Sequence, residues 1–588
     1  MELLDWIVLV GTLIAIVAYG TWKTRQQSSI ESYLKGDNSL KWWTIGLSIM
    51  ATQASAITFL STPGQAYESG MGFIQFYFGL PLAMVVISAV IIPIYYRLNV
   101  YTAYEYLENR FNMPVRLFTA FLFLVSRGLA AGITIYAPAI VLSTLLGWNL
   151  NLTNILVGVL VIIYTVSGGT RAVSITQKWQ MAVIFAGMFV AFFLILSYLP
   201  DELGFLDAVG IAGAMGKMEI VNTEFDLENR YTLWTGLLGG FFLAMSYFGT
   251  DQSQVQRYLG GKSITESRLG LMFNGLLKVP MQFFILFVGI MVFVFYQFNE
   301  PPAFFNRPGI EQVYQSENSE KIRQLEADYS ASFQEKETVL KAYATATTET
   351  EKQALLKQAK VHYDDGQAIR EDIKLTIAET NGDIETKDTD YVFLTFILNY
   401  LPEGVVGLLL AVICSAAMSS TAGELNALCS TTTVDFYRRL KEGKAHSEPI
   451  DATATVDEAT NKRDVMTSKI ITTIWGVLAI IIALSASLFE NLIQLVNVLG
   501  SLFYGSILGI FVLAFFFKFV KSQAALAAGI IGQVTVLVLH LLTVIDVVKI
   551  SYLWYNLIGC GVVVLVGVIA QFGFGNEEPQ TIDYVRKD

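Results

Sequence analysis

The sequence predicts an all-α membrane protein of about 13 transmembrane helices carrying one water-soluble helical hairpin. Three observations predict it. Of 588 residues, 54% are hydrophobic and 15% charged, with a mean hydropathy of +0.51, whereas a soluble chain is roughly a quarter charged. Apolar runs of about 20 residues, the length that crosses a bilayer, recur along the chain. The charges are also uneven: 19 acidic and 11 basic residues crowd between Glu300 and Asp390. The acidic pI of about 5.0 comes mainly from that stretch and says nothing about the partners of the remainder.

The spans read at about 5–22, 43–64, 71–96, 115–145, 151–167, 172–199, 232–257, 268–298, 396–424, 467–488, 491–517, 523–543 and 551–572. Glu2 and Asp5 precede the first run, while Lys23 and Arg25 follow it. A signal peptide has the opposite polarity, so this run predicts an uncleaved helix with its N-terminus outside. Basic residues concentrate in inner loops. That rule places Lys35, Lys41, Arg97, Arg110, Arg171, Arg257, Lys262, Arg438, Arg439, Lys441, Lys444, Lys518 and Lys521 inside, and leaves the C-terminus with Arg586 and Lys587 cytoplasmic. The chain divides into membrane segments 1–298 and 391–572, an outer insert at 299–390 and a cytoplasmic tail at 573–588. A plasma membrane, or the inner membrane of a bacterium, is the expected location.

In the insert, Ile322, Leu325, Tyr329 and Phe333 recur at helical spacing, as do Leu355, Ala359 and Tyr363. They predict two helices standing off the outer face, docking a protein partner, capturing substrate or forming a solvated decoration.

Several function classes drop out. Cys414, Cys429 and Cys560 show no disulfide or zinc spacing. Three scattered histidines argue against a metal or haem centre, and phosphate-binding glycine loops are absent. With no basic patch, a nucleic-acid partner is excluded. No enzyme chemistry and no cofactor are expected.

Polar groups inside a bilayer are costly and mark function by default. Three stretches carry them. Ile49–Gly64 is rich in small and hydroxyl residues that allow a helix to unwind and expose carbonyls; close helix packing is the alternative. Tyr247–Arg257 holds Asp251 after Gly249, a place to break a helix. Ala411–Asn426 holds Ser419 and Ser420, which either ligate a cation or bond back to the preceding turn. Breaks in the second and seventh spans, five spans apart, point to two inverted five-helix repeats and a secondary transporter.

Five motifs in order resemble the sodium/solute symporter family, which has a LeuT-type core: Tyr101–Phe111, the double glycine of Tyr164–Val173, Thr250-Asp251-Gln252 with Val255-Gln256-Arg257, Leu401-Pro402-Glu403-Gly404, and Met418-Ser419-Ser420. The resemblance runs from about residue 5 to 520, skipping the insert. It implies sodium-coupled symport of a small organic solute or anion by alternating access. It further implies a sodium site formed by the carbonyls of Ala51, Ala54 and Ala416 and the hydroxyls of Ser419 and Ser420. The solute would bind beside it, at Gln53, Thr58, Phe59, Phe76, Tyr77, Asp251 and Lys278. Tyr77 stands where the glucose-transporting branch has a glutamate, which counts against a hexose. Tyr67, Tyr95–Leu98 and Gly132–Ala139 are more similar to the iodide, multivitamin and monocarboxylate branch, which favours an anion. Lys278 would suit one; its alternatives are pairing with Asp251 or reaching toward the inner interface.

Members with a second sodium site carry an aspartate at the position of Gln177 and hydroxyls at those of Ala422 and Gly423. All three are missing here, which implies one sodium per cycle. Glu424 then stands as an unusual carboxylate near the gap, taking a proton or pairing with Arg171 or Lys178 at an inner gate. Proton coupling through Glu424 is the alternative mechanism; a transporter-like sensor with the insert as its docking element is the alternative function. A monoanion carried with one sodium moves no net charge, so the potential, about 2.3 kcal/mol per charge per 100 mV, would not contribute.

Overall fold

The computed structural model describes residues 2–23, 40–98, 100–380, 384, 386–439, 458–485 and 492–574. Arg25, Lys35, Lys441, Lys444, Arg586 and Lys587, used above for orientation, lie outside the described residues, as does the tail from 575.

Helix follows helix. In chain order they are α1 (Leu3–Lys23), α2 (Trp42–Gln53), α3 (Ala56–Ser69), α4 (Leu80–Val86), α5 (Ile92–Leu98), α6 (Glu105–Arg110), α7 (Met113–Leu146), α8 (Leu150–Ser197), α9 (Phe205–Ala214), α10 (Gly240–Gly249), α11 (Gln252–Leu259) and α12 (Ile264–Phe298). They continue as α13 (Arg307–Val313), α14 (Ser319–Thr345), α15 (Glu349–Thr380), α16 (Thr389–Tyr400), α17 (Val405–Thr431), α18 (Glu458–Leu484), α19 (Leu492–Phe516), α20 (Ser522–Val544) and α21 (Leu553–Phe574). Among the described residues, nine helical stretches are long and apolar enough to cross a membrane, and shorter apolar helices cover Leu3–Ile16, Leu150–Val166 and Thr235–Gly249. The second predicted span's outer half and the third run together as Ala56–Leu98. Large apolar side chains such as Ile163, Phe193, Leu276 and Phe572 are exposed. In a bilayer these contact lipid tails instead of water.

The fifth and sixth predicted spans emerge as one helical run, α8, of 48 residues. A straight helix of that length would reach about 72 Å, far beyond a bilayer of roughly 40–45 Å. It is not straight. The Tyr164 hydroxyl lies 2.6 Å from the Thr176 hydroxyl, whereas 12 residues of straight helix separate backbones by about 18 Å. The run therefore folds back between these residues, where Gly168 and Gly169 sit. The double-glycine reversal is present, but helical hydrogen bonding carries through it. Side chains from Ser167 to Ala172, including Arg171, lie outside the description.

The ninth predicted span, 396–424, is displaced. α16 ends at Tyr400 and α17 begins at Val405. Pro402 lacks an N–H, and Gly404 sits at φ +80, a conformation glycine adopts without strain. The start of α17 is capped from a distance. Asp5 of α1, 2% exposed, accepts from the amides of Gly404 (2.7 Å) and Gly407 (3.0 Å), donors that a helix N-terminus leaves unpaired.

The insert forms the predicted helical hairpin, α14 against α15, but it does not stand off. Ile322, Tyr329, Ile373 and Ile377 make a small core with Ala303, Phe304, Ile310 and Val313. Farther along, Val339, Leu340, Tyr343, Ala359 and Tyr363 join the core of the membrane body. Its apolar face is thus buried against the body, which offers nothing for the partner-docking expectation. Arg370, 1% exposed, donates to Asp388 (3.0 Å) and to the Ala303 carbonyl (3.1 Å). Its Nη1 lies 4.0 Å from Glu68 at the end of α3. Lys374 reaches Glu68 at 3.5 Å, and the Lys217 ammonium donates to the Glu68 carbonyl at 2.5 Å. The hairpin is therefore tied to the C-terminal end of α3.

Two lysines in this contact are held below their usual range. Burial, with Arg370 adding to it, pushes Lys336 down to about 7; burial pushes Lys217 down to about 8. The unfolded chain keeps these protons until about pH 10.4. Since the unfolded state binds more protons between about pH 7 and 10, stability rises with pH across that window. Lys336→Met is expected to stabilise the protein at pH 7, on the order of 2 kcal/mol, and to flatten the rise of its melting midpoint between pH 7 and 9. An unchanged pH slope in the variant would refute the assignment.

Candidate functional site

The first break falls inside the small and hydroxyl-rich stretch. α2 ends at Gln53, Ala54 has φ −84 and ψ 80, Ser55 is extended, and α3 starts at Ala56. In a continuous helix the amide of Ser55 would bond the Ala51 carbonyl, and that of Thr58 the Ala54 carbonyl. Here Ser55 N bonds Gln53 O (3.1 Å) and Thr58 N bonds Ser55 O (3.0 Å). Both alanine carbonyls are released. The Ser419 hydroxyl of α17 donates to the Ala51 carbonyl at 3.4 Å, across 368 residues. The Ser420 hydroxyl donates back to the carbonyls of Ala416 (3.0 Å) and Ala417 (3.2 Å). Ala51, Ala54, Ala416, Ser419 and Ser420 are all buried.

Gln177 of α8 lies against this group. Its Oε1 accepts from the Ser48 hydroxyl, and its Nε2 donates to the Thr52 hydroxyl (3.1 Å) and the Ser419 carbonyl (3.4 Å). The amide thus braces α2 against α17 where a carboxylate would add charge.

Lys278 of α12 is fully buried, and its ammonium has no hydrogen-bond acceptor among the described residues. It lies 5.7 Å from the centre of the Tyr77 ring, which packs edge-on against Phe76 at 4.9 Å. On the same face of α12, Gln282 has neither amide atom partnered, and Asn274 leaves its Oδ1 unpartnered; Gln53 Oε1 is likewise free of a partner. Phe59 and Thr58 are buried on α3, and α12 packs against both α2 and α3. A lone ammonium among unpartnered amides, beside a broken helix, is an arrangement that receives a polar, negatively charged group.

The second break follows Gly249, between α10 and α11, with Asp251 capping α11 through the Ser253 amide (2.8 Å). The Tyr101–Phe111 stretch clamps it. Tyr104 donates to the freed Thr250 carbonyl (3.0 Å) and Tyr95 to that of Gly249 (2.9 Å). Gln252 donates to Tyr101 O (3.0 Å) and accepts from Ala103 N (3.1 Å).

Asp251 does not meet Lys278. It pairs with Arg127 of α7, which also donates to Glu424 at 3.1 Å and to the Tyr504 hydroxyl. Glu424 further accepts from Thr134 at 2.8 Å. Glu424 does not pair with Lys178, which lies over the Trp43 and Trp179 rings at 5.2 and 5.5 Å; the side chain of Arg171, the other expected cation, lies outside the description. Sequence reasoning missed Arg127. The signal was there, a single arginine in the middle of an apolar run.

Helices broken at Ala54–Ser55 and after Gly249, in a body that is helical throughout among the described residues, define a protein of the LeuT-type fold class. The solved structure of a Na+-coupled sialic acid symporter, in a substrate-bound outward-open state, matches with a TM-score of 0.72 at 22% identity over 98% of both chains, which supports the fold. The Sodium:solute symporter family matches residues 33–314 and 376–532, and the chain belongs to that family. Sodium-coupled monocarboxylate transporter 2 of Mus musculus is 31% identical over 46% of this chain and 44% of its own length. The sodium/iodide cotransporter of Homo sapiens is 32% identical over 47% and 42%. In these alignments the chain spans less than half the length of its relatives. The monocarboxylate transporter 2 of Bos taurus matches over 90% of this chain and 71% of its own length, at 24% identity.

Proposed function

We propose that this chain is a multi-pass plasma-membrane symporter that couples one sodium ion to a small organic anion and works by alternating access, with its N-terminus outside and C-terminus cytoplasmic. The observation that carries the reading is the meeting of the released Ala51 carbonyl with the Ser419 hydroxyl. Together with the Ala54 and Ala416 carbonyls and the Ser420 hydroxyl, they supply five neutral oxygens from two helices, a set suited to a small hard monovalent cation. Sodium there joins α2 to α17, so the ion favours one arrangement of the broken helix, which is what coupling requires. Gln177 in place of a carboxylate supports a single sodium. The anion binds beside it, held by the Lys278 ammonium and the amides of Gln53 and Gln282, with Phe59, Phe76, Tyr77 and Thr58 shaping the cavity. The monocarboxylate and iodide specificities of the relatives favour an anion. Arg127, Asp251 and Glu424 close the inner side.

A ligand that binds only the folded state stabilises it by RT ln(1 + [L]/Kd), about 2.7 kcal/mol at a hundredfold excess over Kd. The purified protein is expected to melt higher in sodium than in potassium, and Ser419→Ala to abolish the difference. Equal midpoints at high sodium would overturn the ion site. With one sodium per monoanion, uptake in proteoliposomes is expected to carry no current; a current carried with the anion would overturn the stoichiometry.

A further inference from the structure

One charged residue interrupts the buried stripe of α14. Ile322, Tyr329, Phe333, Leu340 and Tyr343 are buried at helical spacing, and Lys336, only 6% exposed, falls among them, where the pattern calls for an apolar side chain. Among the described residues its ammonium has no hydrogen-bond acceptor and no ion pair. It lies instead 4.7 Å from the centre of the Phe333 ring and 5.9 Å from that of Tyr363 on α15. At Tyr363 the hairpin meets the body. Phe293 of α12 packs edge-on against this ring at 5.7 Å, and the ammoniums of Lys217 and Lys360 lie 5.7 and 5.9 Å from its centre. The carboxylates around the joint are already engaged. Glu337 pairs with Lys341 at 2.8 Å, Asp364 with Lys360 at 3.0 Å and Asp388 with Arg370 at 3.0 Å. Glu68 faces Arg370 and Lys374, and Glu335 lies 3.1 Å from His362. α12 brings no charged residue after Lys278.

A neutral amine packs readily among rings, whereas an ammonium without a counter-charge is costly there and turns toward water. We infer that Lys336 is a proton-operated release for the hairpin. Neutral, it lets α14 and α15 pack on the body and hold the C-terminal end of α3 through Glu68; charged, it draws α14 toward water and loosens that hold. A lysine in water keeps its proton to about pH 10.4, and burial lets the docked Lys336 keep it only to about 7. The docked form therefore binds fewer protons between those values, and docking strengthens as pH rises through the window. From pH 7 to 8 the docked-to-released ratio rises about fivefold. Below about pH 7 both forms are charged and docking is at its weakest. Lys217, uncovered by the same motion and pushed down by burial to about 8, adds to the effect at higher pH. The inference concerns control of the broken helix and does not depend on which ion or solute is carried.

The test is the distance between two spin labels on the full chain, one at Thr347→Cys in the exposed connection of the hairpin and one at Leu541→Cys, an exposed position on α20. The native cysteines Cys414, Cys429 and Cys560 are buried. Distance distributions are recorded by pulsed electron resonance at pH 7, 8 and 9. The otherwise wild-type protein is expected to show a docked and a released distance, with the docked share rising about fivefold over the released one from pH 7 to 8. Lys336→Met shows the docked distance with no change between pH 7 and 8, where Lys217 is still largely protonated in both forms. Lys336→Arg, charged throughout, keeps the released distance through pH 9. A distribution that stays the same at all three pH values without a change at Lys336 would overturn the inference. So would a Lys336→Met protein that keeps the fivefold change between pH 7 and 8. If Lys336→Arg fails to fold, the other two proteins decide alone.

Discussion

Arg127→Met is expected to cost about 3–5 kcal/mol of stability and to abolish transport, because it leaves two buried carboxylates facing each other without a counter-charge. Arg127 joins α7 to Asp251 at the second break, to Glu424 on α17 and to Tyr504 on α19. Removing the charges as well separates the two effects. The triple variant Arg127→Met, Asp251→Asn, Glu424→Gln is expected to recover most of the stability, since replacing a whole buried ionic group by neutral residues is close to neutral. It is not expected to recover transport, because the latch that distinguishes two arrangements is gone. Melting midpoints and uptake in proteoliposomes check both halves. A triple variant that transports like the wild type would show that the cluster only supports the fold.

Lys278→Met is expected to do the reverse: raise stability while eliminating uptake. A buried ammonium without an acceptor is destabilising, and a methionine of similar length fills the space with an apolar group. If the ammonium holds the anion, affinity falls by at least 100-fold, about 2.7 kcal/mol, while the sodium-dependent melting shift survives. Loss of the sodium shift in Lys278→Met would mean that the two sites are not separate. Retained uptake of an anion with unchanged affinity would remove Lys278 from the solute site.

These two residues also mark how far the sequence could be read. Lys278 is legible in the sequence only through its resemblance to a family position, and its isolation follows from its place on the face of α12 that packs on the broken helix. Arg127 obeys the same rule that drew attention to Asp251 and Glu424, that an ionisable group in mid-membrane has a purpose. Its partners, however, lie 124 and 297 residues away, and no local pattern announces a pairing across such distances. The same holds for Asp5, which reads as an outer flanking charge yet caps α17, and for Arg370, which reads as part of a solvated face yet is buried against Asp388. The spans, the two breaks and the hairpin follow from local properties: apolar length, small residues and helical spacing. The displaced start of α17 and the docking of the hairpin depend on contacts that hydropathy along the chain does not encode.

The docked hairpin has a practical consequence for imaging and spectroscopy. A 65.1 kDa chain sitting mostly within a detergent belt presents little density for aligning single-particle images. The pair of helices Ser319–Thr345 and Glu349–Thr380 is an internal landmark on the soluble side, fastened by Arg370, Lys374 and Glu68 to the end of α3. Its connection, exposed at Thr347 and Thr348, accepts a fluorophore or an antibody epitope without touching the proposed ion and solute positions. Because the hairpin is fastened to α3, the second half of the broken helix, a label there rides with that helix and reports its displacement against a second label on α20.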